Sequence, residues 1–483
     1  MANKTFSYTI ETEIPSDYFK NLFEFIYQEF ANSEKPRFAD ISRKVVGGYP
    51  SLTFTVLDPA GKPNLDVEVR GGKPIKIEIE RIDETVPEEM IEEVKQEIVV
   101  AVEIFEDKIR KSTLYFAWRE GEEIVPEQLH LKEKSSINRL FLETQILLFV
   151  VFITLGMVLF LVFISIGKGW LAPITLLAIQ LVFVFYSNKF IARVGDWHIT
   201  ESNPIIHLLE YHLPLEEQDA FRKKFSREKL LKMKKEVYDQ TISKKGEIDC
   251  EIAGKIFKEY GLECEPEHLV TKEVNVYQLV KRTADNFGFP VPEIVVSNTM
   301  LPNAAAAGPS PSRGVVLITT GLLVQLDDDE ILSVLGHEFG HLKGRDPLLL
   351  YGLTGGEFLF RFYVLFQLFP VIFLSLLFFV YFWLVMTLIF FIAKFFEARA
   401  DLVSSIVVGQ PQVLALALEK IGFRRLLYER APQYRFQEWI SLEPHPPIYF
   451  RVARLEKLEV PVRIKHPLIQ SAKDVINGFR ASF

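Results

Sequence analysis

His337-Glu338-Phe339-Gly340-His341 carries the chemistry that is most legible in this chain. Two histidines four residues apart lie on one face of a helix, roughly 5–6 Å apart at Cβ. At that spacing both imidazoles can reach one zinc ion at about 2.0–2.1 Å. The intervening glutamate, Glu338, can then act as general base toward water activated at the ion. The competing reading is a pair of core histidines with no metal. Zinc in hydrolytic sites takes three protein ligands and keeps one position open. Glu397, in Glu397-Ala398-Arg399-Ala400-Asp401, is the candidate third ligand, and Asp401, one turn on, could accept the free N–H of a ligating histidine. Glu357 is the competing ligand, although Arg361 four residues later could neutralise it. A solvated helix end is the plainer alternative for Glu397–Asp401.

These groups need elements to hold them. Asp328-Asp329-Glu330 followed by Ile331–Gly336 predicts an acidic helix start with an apolar face, which puts the histidine motif on a helix. Upstream, Leu301–Gly308 followed by Gly314–Gly321 reads as an irregular edge beside a β-strand. Such an edge could hold an extended peptide by strand addition, and the small side chains of Ala304–Ala307 would allow close approach; a simple Ala-rich loop is the alternative. Downstream, Pro444-His445-Pro446-Pro447 leads to Arg451. His445 or Arg451 could donate to the oxyanion of a tetrahedral intermediate. A structural Pro-rich turn with a surface arginine fits the same residues.

The surrounding sequence is membrane-like. Phe accounts for 41 of 483 residues. Ile146–Ile166 is uncharged and long enough to cross about 30 Å of hydrocarbon. Trp170–Tyr186 follows after Gly167-Lys168-Gly169, and the two read as a transmembrane hairpin. Leu348–Phe369 and Val371–Ala393 form a second apolar pair around Pro370. Basic residues flank the pairs: Lys132, Lys134 and Arg139 before the first, Lys189 and Arg193 after it, Lys343 and Arg345 before the second, Lys394 after it. By the positive-inside rule, the large soluble segments face the cytoplasm. Phe221–Glu236, basic and amphipathic, reads equally as a membrane-surface helix or as a solvated one.

Residues 1–132 read as a soluble α+β accessory domain. The patterns predict a strand at Phe6–Ile14, a helix near Tyr18–Ala31 capped by Ser16-Asp17, strands near Leu52–Val56, Leu65–Val69 and Ile75–Ile82, and a long acidic helix over Pro87–Lys111. The remaining segments are a first hairpin (133–193), a first part of the catalytic domain with the zinc-binding helix (194–346), a second hairpin (347–393) and a second part with the third zinc ligand (394–483). The net charge of −8 gives no sign of nucleic-acid binding. Cys250 and Cys264 read as ordinary thiols in a reducing compartment, too few for a disulfide framework. No cleaved secretory signal is visible at Met1–Phe6.

Taken together, Pro302-Asn303-Ala304, Thr319-Thr320-Gly321-Leu322, His337–His341, Glu397-x-x-x-Asp401 and His445-Pro446 with Arg451 resemble the HtpX-type membrane zinc endopeptidases, relatives of the prenyl-protein (CAAX) endopeptidases. Asn275-Val276-Tyr277 through Pro290-Val291-Pro292 adds to the likeness, which covers roughly 270–460. The resemblance implies a mainly helical gluzincin domain with a small β-sheet. It implies one Zn2+ per chain on His337, His341 and Glu397, with Glu338 as base and Asp401 supporting a histidine. Substrate would pair along Asn303, Ala304, Ala305 and Ala306, and His445 or Arg451 would act in the transition state. Unfolded or damaged membrane proteins or peptides are the implied substrates, at a lipid bilayer. The alternatives are CAAX-type processing of lipidated peptides, or a zinc-binding membrane scaffold without catalysis. Family members often carry Phe where Ala305 stands, and HtpX-type chains usually begin near the first span, so residues 1–132 are additional. The whole is expected to be an α+β multidomain protein with four transmembrane helices in two hairpins.

Overall fold

The computed structural model describes residues 5–10, 12, 14–15, 18–31, 37–58, 61–82, 86–111, 113–127, 145–213, 225–373, 375–429 and 432–482. Ser16-Asp17, Lys132, Lys134, Arg139 and Phe221–Lys224, used in the sequence reading, lie outside these residues. Twelve strands are described: β1 (Thr5–Ile10), β2 (Phe38–Val46), β3 (Tyr49–Leu57), β4 (Pro63–Arg70), β5 (Ile75–Arg81), β6 (Thr113–Trp118), β7 (Trp197–Ile199), β8 (Ile205–His212), β9 (Leu269–Asn275), β10 (Glu293–Ser297), β11 (Ala304–Ala307) and β12 (Val315–Thr319). The chain divides into two compact units: residues 1–115, 209–237 and 247–271 in one, and 116–208, 238–246 and 272–483 in the other.

In the first unit an antiparallel sheet runs in the order β1-β5-β4-β3-β2. Alternation decides its two faces. Leu52, Phe54 and Val56 of β3, Leu65, Val67 and Val69 of β4, and Ile75, Ile77 and Ile79 of β5 are buried in one core with residues of helices Phe19–Ala31 and Glu88–Lys111. Glu68 and Glu78 face each other across β4 and β5 on the opposite face, and Arg70 bridges both, at 2.8 and 3.2 Å. The Arg70 guanidinium holds the Glu68 carboxyl below the usual carboxylate range. The sequence reading missed β2. Its residues are half-buried or exposed throughout, and a bulge lies between Ala39 and Ser42, so no period-two pattern is present to find.

Cys250 and Cys264 also lie in this unit, and they are bonded to each other. That corrects the reading of two free thiols: the bond ties the first turn of helix Cys250–Glu259 to the segment after it.

In the second unit a four-stranded sheet runs β11-β12-β10-β7. β10 and β12 are parallel, while β11 and β7 are antiparallel to their neighbours. β12 is buried at every residue, as a central strand should be. β11 is the edge, with Ala304 opposite Ile318 and Ala306 opposite Val316. Thr319 fixes the approach to that edge: its Oγ1 accepts the Asn303 N–H at 2.9 Å, and its own N–H donates to Asn303 O at 3.0 Å. Gly321 lets Thr299–Leu301 pass close by, since a Cβ there would fall 2.2 Å from Met300 O.

Among the described residues, two helical stretches are long and apolar enough to cross a membrane: Asp346–Leu368 (23 residues) and Leu377–Val407 (31 residues). The first contains a π-helical turn at Arg361–Leu365. The earlier pair is a 21-residue helix, Gln145–Ser165, and a shorter apolar one, Gly169–Phe185. A 31-residue helix is about 46 Å long, more than hydrocarbon alone requires. Its two halves differ accordingly. Phe379, Val380, Trp383, Leu384 and Leu388 are exposed apolar side chains, whereas Glu397–Ser405 is buried in protein. Lys394, read from sequence as a basic flank, belongs to the buried part and is fully enclosed.

Candidate active site

The histidine motif lies on helix Asp328–Gly344, hereafter the motif helix. Asp327 and Glu330 form a capping box at its start: Asp327 accepts from Glu330 N–H at 2.8 Å and Glu330 accepts from Asp327 N–H at 2.9 Å. Lys420 pairs with Glu330 at 2.8 Å. The buried apolar residues Ile331, Leu332, Leu335 and Phe339 then lock the helix into the core, with Phe339 against Phe287 and Phe289.

What brings Glu397 to the histidines is a stripe of glycine. Gly336, Gly340 and Gly344 recur every four residues and face helix Leu377–Val407, the ligand helix. A Cβ at Gly340 would lie 3.0 Å from Ala400 Cα, and one at Gly336 would lie 2.6 Å from Ser404 Oγ. At Gly344 the Arg399 guanidinium occupies the place a Cβ would take. Small residues on both faces let the two helices touch at backbone distance. Ser404 then donates to Ser333 O at 2.8 Å across the contact.

At that crossing His337, His341 and Glu397 converge, the one such metal-binding group among the described residues. The two Nε2 atoms are 3.1 Å apart. Glu397 Oε2 lies 3.5 Å from His337 Nε2, and Oε1 lies 3.4 Å from His341 Nε2. Ligands 2.0–2.1 Å from a tetrahedral centre sit about 3.3 Å from each other, so the three separations match the edges of a zinc tetrahedron. Among the described residues the buried Glu397 Oε2 has no well-formed hydrogen bond: its nearest donors, His337 Nε2 and His445 Nε2, both stand 3.5 Å away. Both observations fit a metal ion at this point, and the nitrogen–nitrogen–carboxylate donor set fits zinc.

Each histidine is oriented from its far side. His337 Nδ1 meets Asp401 Oδ1 at 2.9 Å, and Arg451 grips the same carboxylate with Nε at 2.9 Å and Nη2 at 2.7 Å. His341 Nδ1 meets Asp346 Oδ2 at 2.7 Å, and Arg399 Nη2 reaches both oxygens of Asp346, at 2.5 and 2.6 Å. The site thus has two carboxylate–arginine supports, one per histidine. Sequence reasoning found Asp401 and missed Asp346 and Arg399. Asp346 is the only acid between His341 and Glu357, which was the available signal, but nothing in the spacing shows that the chain folds back onto the imidazole. Asp346→Asn is expected to weaken zinc binding about 10- to 100-fold, read by competition with a chromophoric chelator; unchanged affinity would remove Asp346 from the site.

Burial alone would lower the histidine pKa values, but the carboxylates outweigh it. Asp401 and Glu397 push His337 up to about 10, and Glu397 and Asp346 raise His341. With Nε2 atoms so close, the two rings compete for charge. The metal-free site therefore holds a proton at neutral pH that a metal must displace. Zinc uptake at pH 7 is expected to release at least one proton per ion, seen as a calorimetric heat that scales with buffer ionisation enthalpy; a buffer-independent heat would contradict this.

The remaining sequence candidates are placed as follows. Glu338 projects toward the edge strand, where Ala306 N–H donates to its Oε2 at 2.9 Å. His445 is half-exposed, with Nε2 3.5 Å from Glu397 Oε2. Arg451 is buried behind Asp401, with Nη2 3.5 Å from His337 Nδ1. Asn303, Ala304, Ala305 and Ala306 form the approach to β11 and its first three residues. Glu357 does not join the metal group. It pairs with Arg361 at 3.0 Å and accepts from Tyr381 Oη at 2.8 Å, which corrects its standing as a competing ligand.

Comparison with known proteins finds a family match over the part of the chain that holds these residues. Residues 271–459 match the sequence profile of peptidase family M48. A protease HtpX homolog of Thermodesulfovibrio yellowstonii is 40% identical over 74 residues, 15% of this chain and 26% of that protein. One from Gemmatimonas aurantiaca is 29% identical over 212 residues, 38% of this chain and 75% of that protein. The crystal structure of S. mikatae Ste24p is a weak likeness, with a TM-score of 0.30 at 18% identity over 37% of this chain and 49% of that one. The chain thus spans about a quarter of the first relative and three quarters of the second. By these matches, residues 271–459 carry a peptidase family M48 domain that contains His337-Glu338-x-x-His341 and Glu397, and the chain is similar to the HtpX homologs.

Proposed function

We propose that the protein is a zinc-dependent endopeptidase that cuts unfolded or damaged membrane proteins at the membrane surface. The observation that carries this reading is the meeting of His337, His341 and Glu397 directly beside Glu338 and the edge strand β11. Bound zinc would be held by those three residues and would supply Lewis-acid polarisation of the scissile carbonyl.

The chain's own groups divide the rest of the work. Asn303 pairs with Thr319 of β12, and by strand alternation Ala305 and Ala307 face β12 while Ala304 and Ala306 turn their backbone outward. An extended substrate adds there as a further strand. Glu338, held by Ala306 N–H, takes a proton from the attacking water and returns it to the leaving amine. His445, on the open side of Glu397, donates to the developing oxyanion. Arg451 has its guanidinium committed to Asp401, so its part is to position His337.

Four spans with both soluble parts on the cytoplasmic side remain our reading of the membrane arrangement. Lys189, Arg193, Lys343 and Arg345 support it; Lys394, being buried, no longer does. The Cys250–Cys264 bond weighs against a reducing compartment, though less than four flanking cations, because some intracellular proteins do carry disulfides. Added protease should cut residues 225–346 in inside-out vesicles and spare them in right-side-out ones; the reverse pattern would overturn the orientation.

The substrate assignment is tested with the full chain in nanodiscs, offered an unfolded membrane protein and a prenylated peptide in competition. Preferential cleavage of the unfolded protein is expected. Preference for the prenylated peptide would replace this reading with CAAX-type processing.

A further inference from the structure

We propose that Lys394 is a positioning residue for His445, so that one helix sets both the third zinc ligand and the oxyanion donor. The inference rests on the role given above to His445. Lys394 sits on the ligand helix one turn before Glu397 and has no solvent exposure. An enclosed ammonium this far from any need for solubility calls for a partner. Its Nζ donates to Glu443 O at 2.5 Å and lies 3.4 Å from Ser441 O. Those carbonyls belong to the segment 441–447, which has no helix or strand of its own and carries His445 two residues further on.

The segment is fixed at its other end as well. Glu429, buried, accepts from Ile448 N–H at 3.0 Å and from Tyr449 N–H at 2.9 Å, capping the helix that bears Arg451. Pro444, Pro446 and Pro447 stiffen the stretch between the two anchors. Arg425 lies 3.6 Å from the Glu443 carboxylate and steadies the same residue from outside. His445 itself is half-exposed, with Nε2 3.5 Å from Glu397 Oε2. A long side chain with three donors can hold two carbonyls at once from a helix surface; Met fills a similar volume and holds neither. Because Lys394 and Glu397 share one rigid helix, the distance from His445 to the metal site is set by a single element.

The test is a double-mutant cycle on the full chain, with kcat, KM and zinc content measured for Lys394→Met, His445→Phe and the pair. His445→Phe should lower kcat about 10²- to 10³-fold. Lys394→Met should lower kcat about tenfold or more with KM and zinc content held, since a displaced catalytic group can cost up to about 10²-fold. The pair should be no worse than His445→Phe alone. Lys394→Arg, which keeps the donors, should stay within a few-fold of the wild type. The proposal fails if Lys394→Met leaves kcat unchanged, if its effect multiplies with that of His445→Phe, or if it removes zinc, because the lysine would then act through Glu397 or the fold. A wild-type kcat for His445→Phe would instead sink the role of His445 itself.

Discussion

Glu338→Gln is expected to lower kcat by about three to four orders of magnitude while leaving one zinc per chain. The reasoning follows from where the side chain points. Glu338 is on the same helix as both histidines but is absent from the metal group, so its loss subtracts a base and no ligand. Gln is isosteric, and its carbonyl oxygen can still accept the Ala306 N–H that holds Glu338 Oε2 at 2.9 Å. Backbone and edge strand should therefore stay in place. KM should change little, because the base contributes mainly in the transition state. Zinc content by atomic emission and kcat on an unfolded substrate are the measurements. Retained cleavage with zinc bound would remove Glu338 from the mechanism.

Gly340→Val is expected to be the most damaging substitution that touches no functional atom. Gly usually weakens a helix interior, so replacing it with Val should by itself gain about a few tenths of a kcal/mol of helix propensity. At this position the added Cβ would press on Ala400 Cα at 3.0 Å and Ala400 O at 3.2 Å, which are backbone atoms that cannot rotate away. The helices must part, and Glu397, one turn before Ala400 on the same helix, moves with them. Overpacking of this kind costs about 1–3 kcal/mol of stability. Zinc affinity should fall by at least the 10- to 100-fold that a disturbed support costs. Gly352→Val is the control, since a Cβ at Gly352 meets nothing within 4 Å. Equal zinc affinity in the two variants would show that the glycine stripe does not set the site.

The parts of the site that sequence made legible are those with local periodicity. His337 and His341 announce themselves by helical spacing, and the acidic start at Asp328–Glu330 places them on a helix that is in fact there. In the first unit, β3, β4 and β5 were legible because their apolar residues alternate strictly. What sequence hid is whatever depends on two distant segments meeting. The Arg399–Asp346–His341 relay joins residues 53 positions apart, and neither residue has a pattern of its own. Lys394 read as a membrane flank because a lysine after an apolar run usually is one; only the fold shows the carbonyls that enclose it. Cys250 and Cys264 read as separate thiols because a single pair carries no framework signal, and their pairing depends on how helix Cys250–Glu259 turns back. His445 and Arg451 were indistinguishable in sequence. Geometry separates them, since one guanidinium is spent on Asp401 while the half-exposed imidazole faces the metal site.

The central claim is that peptide cleavage depends on a metal held by His337, His341 and Glu397. The direct measurement is zinc content and cleavage of an unfolded substrate by the full chain, before chelation, after it, and after zinc is returned, with Glu397→Ala in parallel. One zinc per chain, loss of cleavage on chelation, recovery with zinc, and neither zinc nor activity in Glu397→Ala are the predicted results. Cleavage that persists in the metal-free protein, or full zinc occupancy in Glu397→Ala, would contradict the account.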